Sequence, residues 1–183
     1  MDSKKSAASY IRENTQHLHK AVEKVLQADA IFSPGFTLPQ YIRLLQSLYV
    51  AHRSLEAELQ LYPDLQQTID GWSKSSFLED DLNALNTCIP ASTHTVTLIN
   101  ETEAWGALYV IQGSALGAQV IFKRLRDLNW PAHALNFYGS NRIHLKKTWS
   151  TFLAQLEAHV TNESEALKGA EKAYEVFIEA AYS

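Results

Sequence analysis

Residues Ala107–Phe122 read ALYVIQGSALGAQVIF. Apolar side chains recur at helical spacing through the stretch, yet Gly113 and Gly117 interrupt it four positions apart. Residues at that spacing share one helical face, and each glycine gives up about 1 kcal/mol against alanine in a helix interior. A face bared at that cost makes room for something. Two accounts fit: a second helix approaching closely, or a flat, bulky ligand lying against the backbone. Ser114, Ala115 and Ala118 keep the surroundings small, which suits both.

The same periodicity organises the chain on either side. A first helix is predicted from about residue 6 to 28, with Ile11, Thr15, Leu18, His19, Val22, Val25 and Leu26 along one face. FSPGFTLPQ (32–40) breaks the chain, with Thr37 as N-cap and Pro39 in the first turn of a second helix reaching about residue 61. That helix carries Tyr41, Leu45, Leu48, His52, Leu55 and Leu59 on its stripe. YPDLQQTIDGW (62–72) predicts a short helix, and SSFLEDDLNALN (75–86) another, capped by one of its serines. CIPASTHTV (88–96) reads as a loop. The glycine-bearing helix is expected from about 95 to 129, broken or kinked near its glycines. WPAHALNFYGSN (130–141) is irregular, and two last helices are predicted over about 141–159 and 162–181. THTVTLI alternates weakly but is short. The reading is an all-α fold forming a single domain over 1–183.

Composition agrees. A chain of 183 residues is the length of one domain with a sizeable core. Hydrophobic residues at 46% and charged ones at 20% are ordinary for a soluble globular protein. Seven glycines and five prolines are few, which favours long helices. A net charge of −4 argues against nucleic acid as a partner, so an anionic ligand would need local basic residues. Lys5, Arg12, Lys20 and Lys24 lie near the N-terminus, and Lys123, Arg124, Arg126, Arg142, Lys146 and Lys147 in the second half. Solvated helix faces account for most of them. Cys88 is alone, so no intrachain disulfide or thiolate metal cluster is expected. No apolar run resembles a signal peptide or approaches the ~18 residues of a spanning helix. The expectation is a cytoplasmic protein with no membrane segment.

Seven histidines raise a metal hypothesis. His17 and His19 sit about 200° apart around a helix axis and do not share a ligand. His94 falls in a loop, while His133, His144 and His159 fall off the apolar stripes and read as surface residues. His19 and His52 lie on stripes, where a hydrogen-bonded core histidine is the commoner outcome. With no His-x-x-x-His or Glu-x-x-His pair, a zinc or di-iron carboxylate site lacks support. His19 is set apart by Glu23, four residues on and on the same face. A metal-bound imidazole needs such an acceptor on its second nitrogen to fix its tautomer.

Taken in order, these stretches resemble the heme oxygenase family, closest to its bacterial biliverdin-producing, phytochrome-associated branch. IRENTQHLHKAVE (11–23) is similar to the family's N-terminal helix, where a threonine precedes the iron-binding histidine by four; that spacing selects His19 over His17. SFLEDDLNAL contains a Leu-x-x-Asp-Leu core in Leu78, Asp81 and Leu82. LYVIQGSALGAQVI resembles the branch's distal-helix pattern, and NFYGSNRIHLKKTWSTFLAQL its Phe-x-Gly loop with the following helix. AEKAYEVF is similar to the final helix. The matches cover nearly the whole chain.

The resemblance implies a heme oxygenase-like fold with heme sandwiched between the first helix and a kinked, glycine-containing distal helix. Iron protoporphyrin IX would be both substrate and cofactor. His19 would bind the iron through a neutral imidazole, oriented by Glu23. Gly113, Ser114 and Gly117, with Ala118 beside them, would form the distal wall and steer oxidation to a meso carbon. Arg12 and Tyr109, with Lys146, would face the propionates. The implied products are biliverdin, CO and ferrous iron, made with O2 and electrons from a separate reductase or ferredoxin. A bacteriophytochrome is the implied acceptor of biliverdin.

Three positions depart from the family's pattern. Ser114 stands where animal enzymes carry an aspartate, so protons would have to arrive through ordered water. Ala118 replaces a frequent second glycine, and Gln112 a common glutamate for which the residues give no mechanistic account. A heme-binding or storage protein of the same fold, without turnover, is the alternative. A non-heme relative of the thiaminase or di-iron type lacks its cysteine nucleophile in a suitable context and its Glu-x-x-His pairs. A helical adaptor is disfavoured by the order of the matches.

Overall fold

Helix starts in this chain are set partly by neighbouring residues and partly by carboxylates from far along the sequence. The computed structural model describes residues 6–63, 65, 73–92, 94–128, 134–139 and 145–183, without the side chains of 115, 145 and 146. Helix α1 spans Ala7–Val25. Ser6 caps it by accepting the Ser9 N–H, and the N–H groups of Ala7 and Ala8 donate to the Glu157 carboxylate at 2.9 and 3.1 Å. The helix stops short of its predicted end because Gln27 turns left-handed at φ 51° into a 3₁₀ turn over Ala28–Phe32.

Helix α2, Leu38–Leu59, starts as predicted, with Thr37 as N-cap and proline in its first turn. The Gln40 Oε1 accepts the Thr37 N–H at 2.8 Å. Helix α3, Ser75–Ala84, corrects the predicted serine cap. Neither serine accepts there; Glu56 reaches across from α2 and takes the N–H groups of Lys74 and Ser75 and the hydroxyls of Ser73 and Ser75.

Helix α4, Glu101–Asp127, begins later than predicted, at Asn100, whose side chain accepts the Glu103 N–H. The N–H groups of Leu98 and Ile99 donate to Glu58 and Glu103 instead of joining the helix. From there α4 runs through both glycines without a break. The short helix α5, Asn136–Gly139, falls where the sequence reads as irregular. Helix α6, Leu145–His159, and α7, Glu163–Ala180 capped by Asn162, match the two predicted terminal helices. The short helix predicted over 62–72 lies largely outside the described residues, as do His133 and His144. Among the described residues there is no strand.

Packing centres on α7, which lies chiefly against α4 and α1. At the α4–α7 crossing the two backbones touch. A Cβ built on Gly106 would lie 1.8 Å from the Ala166 carbonyl oxygen, and one on Gly169 1.8 Å from that of Glu103. Lys172 locks the crossing by donating to Glu103 at 2.6 Å and to the Thr97 carbonyl at 2.9 Å. Trp105, Leu108 and Ile111 of α4 are fully buried with Tyr41, Leu45 and Leu55 of α2. Against the sequence expectation, α4 is long and apolar enough to cross a membrane by length and composition. Its apolar window is 53% buried within the bundle, as in the core helix of a globular fold.

Candidate functional site

Past Gly106 the crossing opens. Gly113 and Gly117 continue nearly the same face of α4, but α7 no longer covers it. The space between α1, α4 and α7, closed below by α2 and α5, is a cavity of about 550 Å³. That falls within the roughly 300–1,000 Å³ of cofactor and small-molecule sites. Leu44, Leu48, Val110, Ile121, Phe137 and Phe177 give it a largely apolar lining, as a flat aromatic ligand requires.

His19 and Glu23 stand on the α1 wall. The imidazole Nδ1 lies 3.6 Å from Glu23 Oε1, on an exposed part of the helix. Among the described residues its Nε2 has no partner, so it is the atom free to coordinate. Opposite stand Gly113, Ser114 and Gly117. A Cβ on Gly113 would meet only the Trp149 ring edge, at an ordinary 3.8 Å, and one on Gly117 would meet nothing within 4 Å. The bared face therefore looks onto the cavity. Close helix approach, the other account of these glycines, belongs to Gly106 and Gly169.

Ser114 donates its hydroxyl hydrogen to the Ile111 carbonyl at 2.7 Å. Its oxygen can accept from a water in the cavity but has no proton to offer it. Arg12 and Tyr109 line one side. Burial pushes the Tyr109 phenol up, and the nearby Arg12 charge opposes that shift. Ala118 is buried and does not line the cavity. The side chain of Lys146 lies outside the described residues.

Several residues of the site escape a reading of local sequence. Asp81, fully buried, accepts the N–H groups of Asn136 and Phe137 at 2.7 and 2.9 Å. Burial pushes its carboxyl up to about 6 against those hydrogen bonds. Tyr41 donates to the Ala134 carbonyl at 3.0 Å. Together they clamp α5, whose Phe137 and Tyr138 face the cavity. The Leu-x-x-Asp-Leu motif flags Asp81 but not this task. His52 is fully buried behind Phe137 and Phe177, with ring centroids 5.4 Å from each. It is a core histidine as expected, but neither ring nitrogen has a hydrogen-bond partner among the described residues. Its Nδ1 sits 3.7 Å from Glu56. Burial works to raise the Glu56 carboxyl, but His52, Ser75 and the Lys74 N–H outweigh it and hold it at about 2. His159 is exposed yet stacks on Trp105 at 4.7 Å.

Fold and cleft together define an all-α protein built around a pocket between its first helix and its glycine-bearing helix. Comparison with known proteins makes that class specific. The heme oxygenase family model matches residues 5–182, and the chain belongs to that family, which degrades heme. The chain is similar to the NO- and CO-bound heme oxygenase from Neisseria meningitidis, with a TM-score of 0.81 and 21% identity over 96% of this chain and 90% of that one. The heme oxygenase from Leptospira interrogans gives 0.76 and 21%, over 97% and 98%. Heme oxygenase-1 from the cyanobacterium Synechocystis sp. PCC6803, in complex with heme, gives 0.73 and 17%, over 97% and 91%. At these identities the structures speak for the fold. No curated protein sequence matches the chain.

Proposed function

We propose that residues 1–183 form one cytoplasmic domain that binds heme between α1 and α4 and cleaves it to biliverdin, carbon monoxide and ferrous iron. The observation that carries the reading is the facing pair of walls. An imidazole with its Nδ1 turned to a carboxylate looks across an apolar cavity at a helix face where a glycine Cβ would meet open space. The residues present fit the group. Bound heme supplies both the iron at which O2 is reduced and the macrocycle that is oxidised.

The chain's own residues divide the remaining work. Glu23 fixes the His19 tautomer, leaving Nε2 for iron. Gly113 and Gly117 let the ligand approach backbone where any larger residue would hold it off. Arg12 and Tyr109 supply donors for the propionates, with Lys146 as a third candidate. On the α4 wall no described carboxylate lines the cavity, and the Ser114 proton is already engaged. Protons therefore arrive through water that Ser114 accepts from and orders. In this reading electrons come from a separate reductase or ferredoxin, and a bacteriophytochrome accepts the biliverdin.

The test adds hemin to the purified protein, then a reductant under air, while the visible spectrum is followed. Decay of the Soret band with appearance of biliverdin is the expected result. A Soret band that persists under reduction would leave only heme binding or storage, and failure to take up hemin would overturn both. Replacing His19 by alanine removes the imidazole ligand; an unchanged ligand spectrum in that variant would overturn its assignment.

A further inference from the structure

Thr15 and His19 lie four residues apart on one face of α1, and His19 meets a side chain of α7. Thr15 is buried, and its hydroxyl donates to the Ile11 carbonyl at 2.8 Å. Burial pushes the phenol of Tyr174 on α7 up to about 12, and Thr15 opposes that shift. The same Tyr174 ring meets the imidazole of His19 edge to face, with centroids 6.2 Å apart and planes at 74°. Glu23 holds the ring at Nδ1, but that pair is more than half exposed on the histidine side and gives only a weak restraint. Rotation about the histidine's outer torsion is broad when nothing packs on the ring. Tyr174, itself 7% exposed, is the stiff contact.

We propose that Tyr174 is a positioning residue that sets the plane of the His19 imidazole by packing its ring against it. The inference rests on His19 being the heme ligand. The plane of an axial imidazole relative to the porphyrin nitrogens sets the in-plane anisotropy of low-spin ferric iron. A contact that fixes the plane is therefore visible without turnover.

The test loads the full chain with hemin, adds cyanide and records electron paramagnetic resonance spectra. The wild type gives one low-spin species. Tyr174→Leu, which removes the ring, shifts and splits the g-values into more than one species. Tyr174→Phe, which keeps the ring, leaves one species with g-values close to the wild type. Wild-type g-values in Tyr174→Leu would overturn the proposal. So would Tyr174→Phe matching Tyr174→Leu, because the hydroxyl would then act directly on the heme. If Tyr174→Leu fails to fold, the wild type without hemin still decides. In the protein without hemin, nuclear Overhauser contacts join the Tyr174 ring to the His19 ring protons, and their absence overturns the inference. Loss of the imidazole signature in His19→Ala keeps failure here distinct from failure of the ligand assignment.

Discussion

Helix α4 uses one face in two ways. In its first half, Gly106 sits beneath the Ala166 carbonyl with no room for a methyl group, and residues 103–112 are buried throughout. In its second half, Gly113 and Gly117 look into a cavity, with Leu116 and Val120 exposed nearby. The residue type is the same and the faces nearly coincide. The difference is made by α7, which presents Ala166, Gly169, Ala170 and Ala173 to the crossing and then Tyr174 and Phe177 to the cavity. Small residues let the helices meet; aromatic ones hold them apart. The two glycine sets should therefore respond to the same mutation with opposite signs.

The largest effect is expected at the crossing. Gly106→Ala forces a methyl group into a backbone carbonyl, which cannot swing aside as a side chain can. The loss should reach the upper end of overpacking penalties, about 3 kcal/mol. For a chain of this length that lowers the Tm by about 6–12 °C. Gly169→Ala should behave alike. Thermal unfolding without heme decides it, and a loss under 1 kcal/mol in both would mean that α4 and α7 are not in backbone contact.

Next comes the clamp that keeps the open half open. Asp81→Asn retains one acceptor oxygen but turns an amide nitrogen towards an N–H of α5, a buried mismatch of about 1–3 kcal/mol. Its pH dependence carries the sharper sign. The folded carboxyl is raised by burial to about 6, above the ordinary carboxylate range, so the folded state holds its proton longer. That contribution is fully present below about pH 4 and is lost as pH rises through about 6. Between pH 7 and 4, wild type should gain stability relative to Asp81→Asn, opposite to the trend set by Glu56. Urea titrations of both proteins across that range provide the comparison, and parallel pH profiles would refute a raised Asp81.

Much of the architecture was legible because its signals are local. Thr37 and Asn162 start helices where the sequence places them, and the spacing of His19 and Glu23 puts them on one face before any tertiary contact forms. The misread features depend on distant residues. Glu157, Glu56 and Asp81 cap α1, α3 and α5 from elsewhere in the chain, so local sequence points to a serine near α3 for the work that Glu56 does. Gly106 has no neighbouring glycine to single it out, and its partner Gly169 is brought to it only by the fold. Tyr174 likewise reads as one apolar position on α7 until His19 is seen against it.

On the cavity side, Gly117→Ala should stabilise the protein without heme. The added methyl meets no atom, and alanine gains about 1 kcal/mol of helix propensity, or a Tm rise of about 2–4 °C. Hemin affinity should fall, because the methyl occupies the space left for the ligand. A variant that is both more stable and weaker in hemin binding is the reverse of Gly106→Ala. If Gly117→Ala instead destabilises the protein without heme, the second half of α4 is packed like the first.

The smallest effect is expected between the two cavity glycines. Ser114 already donates to Ile111 on a partly solvated helix face, so Ser114→Ala should change stability by no more than about 0.5 kcal/mol. Its oxygen serves as an acceptor that holds a water, and other waters can enter the space when it is removed. Hemin turnover should slow by less than about tenfold, below the 10²–10⁴ typical of a direct proton-transfer residue. A loss of a hundredfold or more would mean that Ser114 releases Ile111 and donates its own proton once the ligand is bound. Single-turnover rates in H2O and D2O separate the two cases, since only direct transfer from Ser114 ties the solvent isotope effect to that hydroxyl.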